Sequence, residues 1–162
     1  MHDDETAAVR SLPAPSNYYV GTPAQDSALA HNVILFNRLS ADILRAYPAY
    51  HHRFVLIHCQ QTSGTVIVNE RRIRLHPGMV VLIFPHQFHH FMAIERDQLC
   101  WLFITFEHYR PAELEALRYQ PQPTSARLSA LLTDAARTYT PPSTATSLDN
   151  RRTVLLCALV LN

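Results

Sequence analysis

The amino-acid sequence predicts a mainly β domain that closes in C-terminal helices. Three observations carry that expectation. Short runs rich in β-branched and aromatic residues crowd the region from about 31 to 107. Polar turns separate them at near-regular spacing, as in a sandwich or barrel. After Glu107 the apolar period changes from that of strands to that of helices.

Residues 1–30 read as an N-terminal arm. Pro13, Pro15, Pro23 and Gly21 interrupt any long regular element there, and Tyr18-Tyr19-Val20 is its apolar cluster. Residues 31–108 form the β region. Its strands are VILF (33–36), FVLI (54–57), TVIV (65–68), RIRL (72–75), MVVLIF (79–84), FHHFMAI (88–94) and LCWLFITF (99–106). Between them lie turns such as His76-Pro77-Gly78, where proline presets φ and glycine takes the positive φ of a type II turn. Residues 109–162 form a helical region. PAELEALRY suits a short helix with proline in its first turn. SARLSALLTDAARTY carries Leu128, Leu131, Leu132 and Ala135 at helical spacing, with Thr124 or Ser125 as cap and Pro141-Pro142 as stop. LDNRRTVLLCALVLN is a third helix, with an apolar stripe of Val154, Leu155, Ala158, Leu159 and Leu161. It reaches Asn162 without a C-cap, as a fragment of a longer protein would.

Composition narrows the function. The chain has 162 residues, enough for one core, and a net charge of +1 from fourteen arginines against thirteen acids. That balance creates no broad positive field, so this chain is not expected to hold nucleic acid itself. No apolar run approaches the roughly 20 residues of a membrane span. Cys59, Cys100 and Cys157 lie far apart without C-x-x-C spacing, which reads as reduced thiols in a cytoplasmic protein.

The histidines raise the question of chemistry. Six of ten fall in two groups, His51-His52 with His58 and His86 with His89-His90. A metal needs three or four ligands converging, usually from alternate strand residues. Adjacent His51 and His52 point to opposite faces of a strand, so only one looks inward. No carboxylate follows them, and Arg53 places a positive charge beside them. A three-ligand set of His51 or His52, His58 and His89 could still be assembled. No metal, cofactor or catalytic residue is nevertheless expected, and His58, His76, His86 and His108 read as packed or rim histidines. No G-x-S-x-G elbow, phosphate loop or zinc-protease motif is present. Cys59 and Cys100 sit in apolar strands, the setting of an inert buried thiol.

From about Tyr50 to Glu107 the chain carries YHHRFVLIHCQQTSGTVIV, then RRIRLHPGMVVLIFPHQFHHF, then WLFITFE. This order resembles the N-terminal cupin-like domain of AraC-type bacterial transcription regulators. In that family a histidine-bearing strand leads to a G-x-V segment, a P-G-D-x-x-x-x-P run, a histidine and a W-x-x-I-x-F strand. The sequence departs at Met79, where the family usually has aspartate, and at Thr62-Ser63, where a glycine often lies.

The resemblance implies a cupin-like double-stranded β-helix (jelly-roll) barrel followed by α-helices. It implies an effector-binding and dimerisation domain, non-catalytic, whose DNA-binding helix-turn-helix half lies downstream and is absent here. The partners implied are a small-molecule effector, such as a sugar or small organic acid, and a second subunit paired through the C-terminal helices, with no membrane. The rival is a free-standing metal-dependent cupin enzyme of isomerase or dioxygenase type, and a metal-free binding cupin is a third reading. Alternation places Leu99, Trp101, Phe103 and Thr105 on one strand face and Cys100, Leu102, Ile104 and Phe106 on the other. In similar regulators the tryptophan face looks into the barrel, which makes Trp101 and Phe103 stacking walls. The matching phase elsewhere gives His51, Arg53, His89 and Phe91 as the remaining ligand contacts.

Overall fold

The computed structural model describes residues 2–19, 30–42 and 48–139. Five strands form one antiparallel sheet in the order β1-β7-β2-β5-β8. They are β1 (Ala30–Ser40), β2 (Phe54–Gln61), β5 (Met79–Ile83), β7 (Gln98–His108) and β8 (Gln122–Pro123). A second sheet, in the order β4-β3-β6, contains β3 (Gly64–Val68), β4 (Arg71–Leu75) and β6 (His89–Met92). Every run read as a strand from the sequence falls on one of β1 to β7. β8 was not foreseen, since Gln122 and Pro123 carry none of the usual strand preference.

The side-chain period of two divides the five-stranded sheet into two buried faces. One face packs against the smaller sheet: Val55, Ile57, Cys59, Val81, Ile83, Trp101 and Phe103 meet Val66, Val68, Ile73 and Leu75 there. The opposite face, with Leu35, Phe54, Leu56, Leu82, Leu102, Ile104 and Phe106, lies under helices. Burial on both sides explains why FVLI, MVVLI and LCWLFITF are continuously apolar rather than alternating. The two sheets face each other as in a barrel, without strand ladders joining them among the described residues. Gly78 has φ of 84°, and the Met79 N–H donates to the His76 carbonyl at 3.1 Å, as expected of Pro77-Gly78 in a type II turn.

Helices cover the outer face. A 3-10 helix, Pro111–Leu117, has proline in its first turn and buries Leu114. α2 (Ala126–Thr138) is capped by Ser125, whose side chain accepts from the Leu128 N–H. The predicted α2 stripe faces the chain's own core: Leu132 and Ala135 are fully buried there and Leu128 packs beside them. The third helix candidate, 148–162, lies outside the described residues, as does Cys157.

The reading of residues 1–30 as an irregular arm needs one correction. A helix, α1 (His2–Arg10), stands ahead of the prolines and packs against α2. Its sequence is mostly polar, but Ala8 and Val9, with Leu12 just beyond, enter the core formed by Leu132, Ala135 and Ala136. Asn37 of β1 caps its end by donating Nδ2–H to the carbonyls of Val9 at 2.7 Å and Leu12 at 3.3 Å. Pro13 then ends the element. Among the described residues no helix is long and apolar enough to cross a membrane.

Candidate ligand-binding cavity

A cavity of about 390 Å³ opens between the two sheets at the end of β2 that bears Arg53. Its aromatic wall comes from paired positions of neighbouring strands. Phe36 of β1 lies opposite Phe103 of β7 in the ladder, and their rings stack at 5.2 Å, 13° from parallel. Phe91 of β6 stands across Phe103 at 73°. Val55 adds a further apolar surface.

The polar lining begins with Arg53, which is 3% exposed. Its guanidinium binds backbone from three places: Nη1 donates to the Tyr19 carbonyl at 3.2 Å, and Nη2 to the carbonyls of Asn32 and, at 3.2 Å, Thr105. Glu107 supplies a counter-charge at 3.6 Å. Its pKa is held below the usual carboxylate range, chiefly by the hydrogen bond from Asn32 at 2.6 Å and then by the nearby Arg53, His31 and His52. The Nε–H of Arg53 and the hydroxyl of Thr105 are buried without a hydrogen-bond partner. Both side chains line the cavity.

Two histidines complete it. His51 and His89 meet edge to face with ring centroids 5.1 Å apart. The Nδ1 of His51 lies 3.1 Å from the Arg53 carbonyl and that of His89 lies 3.2 Å from the Gln87 carbonyl. A carbonyl only accepts, so each Nδ1 carries the proton and each Nε2 is left as an acceptor. Burial, then His89, Arg53 and His52, push His51 down to about 4. Burial also lowers His89, aided by His90. Both rings are neutral at pH 7 and present lone pairs rather than charge.

Five of the six predicted contacts, His51, Arg53, His89, Phe91 and Phe103, therefore border this cavity. Trp101 does not. It has the inward phase expected of it, but its indole N–H donates to the carbonyls of Gln61 and Thr62 at 3.1 and 2.9 Å, and the ring is fully buried. Phe91 stands between it and the cavity side, with centroids 5.8 Å from Trp101. A buried indole needs an acceptor, and the last residue of β2 and the one after it supply it.

The adjacent histidines separate as their spacing requires. His51 faces the cavity, and His52 turns to Glu107 at 3.9 Å. His58 shares the phase of Leu56, on the helix-covered face, so it does not join His51 and His89. Among the described residues no three His, Cys, Asp or Glu side chains are placed to share a metal ion. Cys59 is buried with its pKa pushed up to about 12 by burial, which makes it a poor nucleophile.

The sequence reading missed Phe36, Arg38, Thr105 and Tyr18, all on the cavity wall. Thr105 shares the phase of Phe103 and was within reach of the same period argument. Phe36 and Arg38 required the pairing of β1 with β7, which no local pattern encodes.

Residues 41–152 match the family described as the AraC-like ligand binding domain. The chain belongs to that family. The mainly β fold with C-terminal helices expected from the sequence agrees with the two sheets and the helices that follow them among the described residues. Among curated proteins nothing matches the chain. Solved structures similar to this AraC-like domain include a cupin protein from Bacteroides fragilis, 15% identical over 59% of this chain and 86% of that one, with a TM-score of 0.39. A cupin superfamily protein from Desulfitobacterium hafniense is 16% identical over 61% of this chain and 85% of that one, with a TM-score of 0.40. A Photorhabdus luminescens protein is 14% identical with a TM-score of 0.34, the match covering 49% of this chain and 58% of that protein.

Proposed function

We propose that this chain is the effector-binding and dimerisation part of a cytoplasmic transcription regulator, non-catalytic in itself, which controls a DNA-binding domain located downstream. The observation that carries the reading is the cavity, which combines an aromatic wall with buried polar groups whose hydrogen-bonding capacity is unspent. A catalyst would need a nucleophile or a matched acid and base. The two cavity histidines are instead fixed as neutral acceptors.

Coupling follows from the contacts of the N-terminal segment. Tyr18 and Tyr19 border the cavity, and the Tyr19 carbonyl is held by Arg53. The same segment leads back to α1, which packs on α2. A ligand that favours one placement of Tyr18 and Tyr19 thereby biases the helical side of the domain, by as much as its affinities for the two placements differ. The helices after the β region pair two subunits in this reading, with the stripe at Val154, Leu155, Ala158, Leu159 and Leu161 as the interface.

The test is the coding sequence beyond Asn162 together with a binding assay of the full product. Two helix-turn-helix motifs and DNA affinity that shifts with a small molecule are expected. A reading frame without a DNA-binding segment overturns the regulatory role.

A further inference from the structure

We propose that the cavity is built for a small flat monocarboxylate bearing a hydroxyl group, a hydroxyaromatic acid; this rests on the reading of the cavity as the effector site. Shape gives the first argument. Phe36 and Phe103 are offset-stacked on one another, 5.2 Å apart and nearly parallel, so the cavity is bordered by a short stack of rings. Phe91 closes one side at a steep angle. At about 390 Å³ the space is near the small end of the range for ligand pockets, roughly 300–1,000 Å³. A planar ring that extends this stack, or meets the phenylalanines edge to face as Phe91 meets Phe103, satisfies the geometric preference of aromatic groups.

Charge gives the second argument. Arg38 extends from β1 beside the cavity, its guanidinium carbon 4.7 Å from the Phe36 centroid, 5.6 Å from Tyr18 and 6.0 Å from Phe103. The rings hold its position and leave its hydrogen-bonding edge largely unused. Its hydrogen bond is a long one, 3.4 Å to the Tyr18 hydroxyl. No carboxylate among the described residues lies within ion-pair reach of it. Arg53, by contrast, is already engaged by Glu107 and three carbonyls. Arg38 is thus the free fork for a ligand carboxylate, and a guanidinium binds such a group through two parallel N–H bonds.

The remaining polar atoms ask for a donor. Nε2 of His51 and Nε2 of His89 are both acceptors, and two acceptors cannot satisfy each other. A second carboxylate against them would be repelled by their lone pairs, whereas a hydroxyl donates to one of them. The unpartnered Thr105 hydroxyl and Arg53 Nε–H supply further contacts to the oxygen of that hydroxyl. Carboxylate at Arg38, ring beside the phenylalanines and hydroxyl at one of the histidines engage Arg38, Thr105 and the Arg53 Nε–H together.

The probes are 4-hydroxybenzoate, benzoate, phenol and glucose, each titrated calorimetrically into the full chain and into Arg38→Gln and Thr105→Val variants whose folding is checked by circular dichroism. 4-Hydroxybenzoate is expected to bind at least about tenfold tighter than benzoate or phenol, since each lacks one charge-assisted or buried hydrogen bond. Arg38→Gln is expected to reduce 4-hydroxybenzoate to the affinity of phenol. Glucose binding tighter than the acids, and weakened by Thr105→Val, overturns the hydroxyaromatic acid while leaving the cavity a ligand site. Equal binding of 4-hydroxybenzoate by the native chain and Arg38→Gln overturns the assignment of the carboxylate. Failure of all four probes to bind the folded chain overturns the ligand class, and the regulatory reading is then decided separately by the downstream coding sequence.

Discussion

His51 and His89 meet edge to face in the cavity, their ring centroids 5.1 Å apart, each with its Nδ1–H committed to a backbone carbonyl. Protonating His51 would place a cation beside Arg53, and protonating His89 would place one beside His90, both in buried surroundings. The folded chain therefore resists a proton that the unfolded chain accepts below about pH 6.5. Because the folded-state pKa is depressed, stability is fully present above 6.5 and declines as pH falls toward about 4. His51 alone accounts for roughly 2–3 kcal/mol of that decline after allowance for its partial exposure. Glu107, also depressed, adds its own loss only below the ordinary carboxylate value of 4.5. Urea midpoints at pH 7, 5.5 and 4.5 measure the slope, and His51→Gln is expected to flatten it. An unchanged slope in that variant places the proton elsewhere.

Arg53 joins β1, β2, β7 and the Tyr19 carbonyl through one guanidinium. Arg53→Met orphans buried carbonyls and leaves Glu107 without its main cationic neighbour, so a loss of about 3–5 kcal/mol is expected. Arg53→Lys keeps the charge but not the fork and recovers less than half. Glu107→Gln, at a partly exposed position, costs about 1 kcal/mol or less. Chemical denaturation of the three variants tests that ranking.

Gly64 lies against the indole of Trp101. A Cβ at this position would come within 2.9 Å of Cζ2 and Cη2 of the ring and 3.3 Å of Ile94 Cγ1. Gly64→Ala is expected to cost about 1–3 kcal/mol through overpacking and to perturb the emission of the sole tryptophan. In the native chain that emission is expected to be blue-shifted and to resist iodide quenching, since Trp101 is fully buried. Ready quenching contradicts its placement behind Phe91.

The strands were legible because buried strands need β-branched and aromatic side chains, and their phase correctly set Trp101 and Phe103 inward together. Depth along β7 was not legible. The carbonyls of Gln61 and Thr62 hold the indole of Trp101, and they lie at the end of β2, distant in sequence. Phe36, Arg38 and Tyr18 escaped for the same reason, since a cavity wall is assembled by pairing across the sheet. α1 escaped because its apolar content is little more than Ala7, Ala8 and Val9, too few for a periodic pattern until α2 lies beside them.

Val9 gives the test of that helix. It is fully buried among residues of α2. Val9→Ala is expected to lower stability by roughly 1.5–3 kcal/mol, from two buried methyl groups and the space they leave. Thermal unfolding decides it; an effect near zero means α1 detaches in solution.

β8 has a consequence for how copies of this domain associate. It is a two-residue strand at the margin of the large sheet, and Pro123, opposite Met79, has no amide proton to offer a neighbour. A margin this short, ending in an imino acid, cannot template the addition of another chain's strand, which is the common route from a β domain to fibrous aggregates. At that margin a continued backbone ladder is disfavoured, so ordered association on that side has to proceed through side-chain faces.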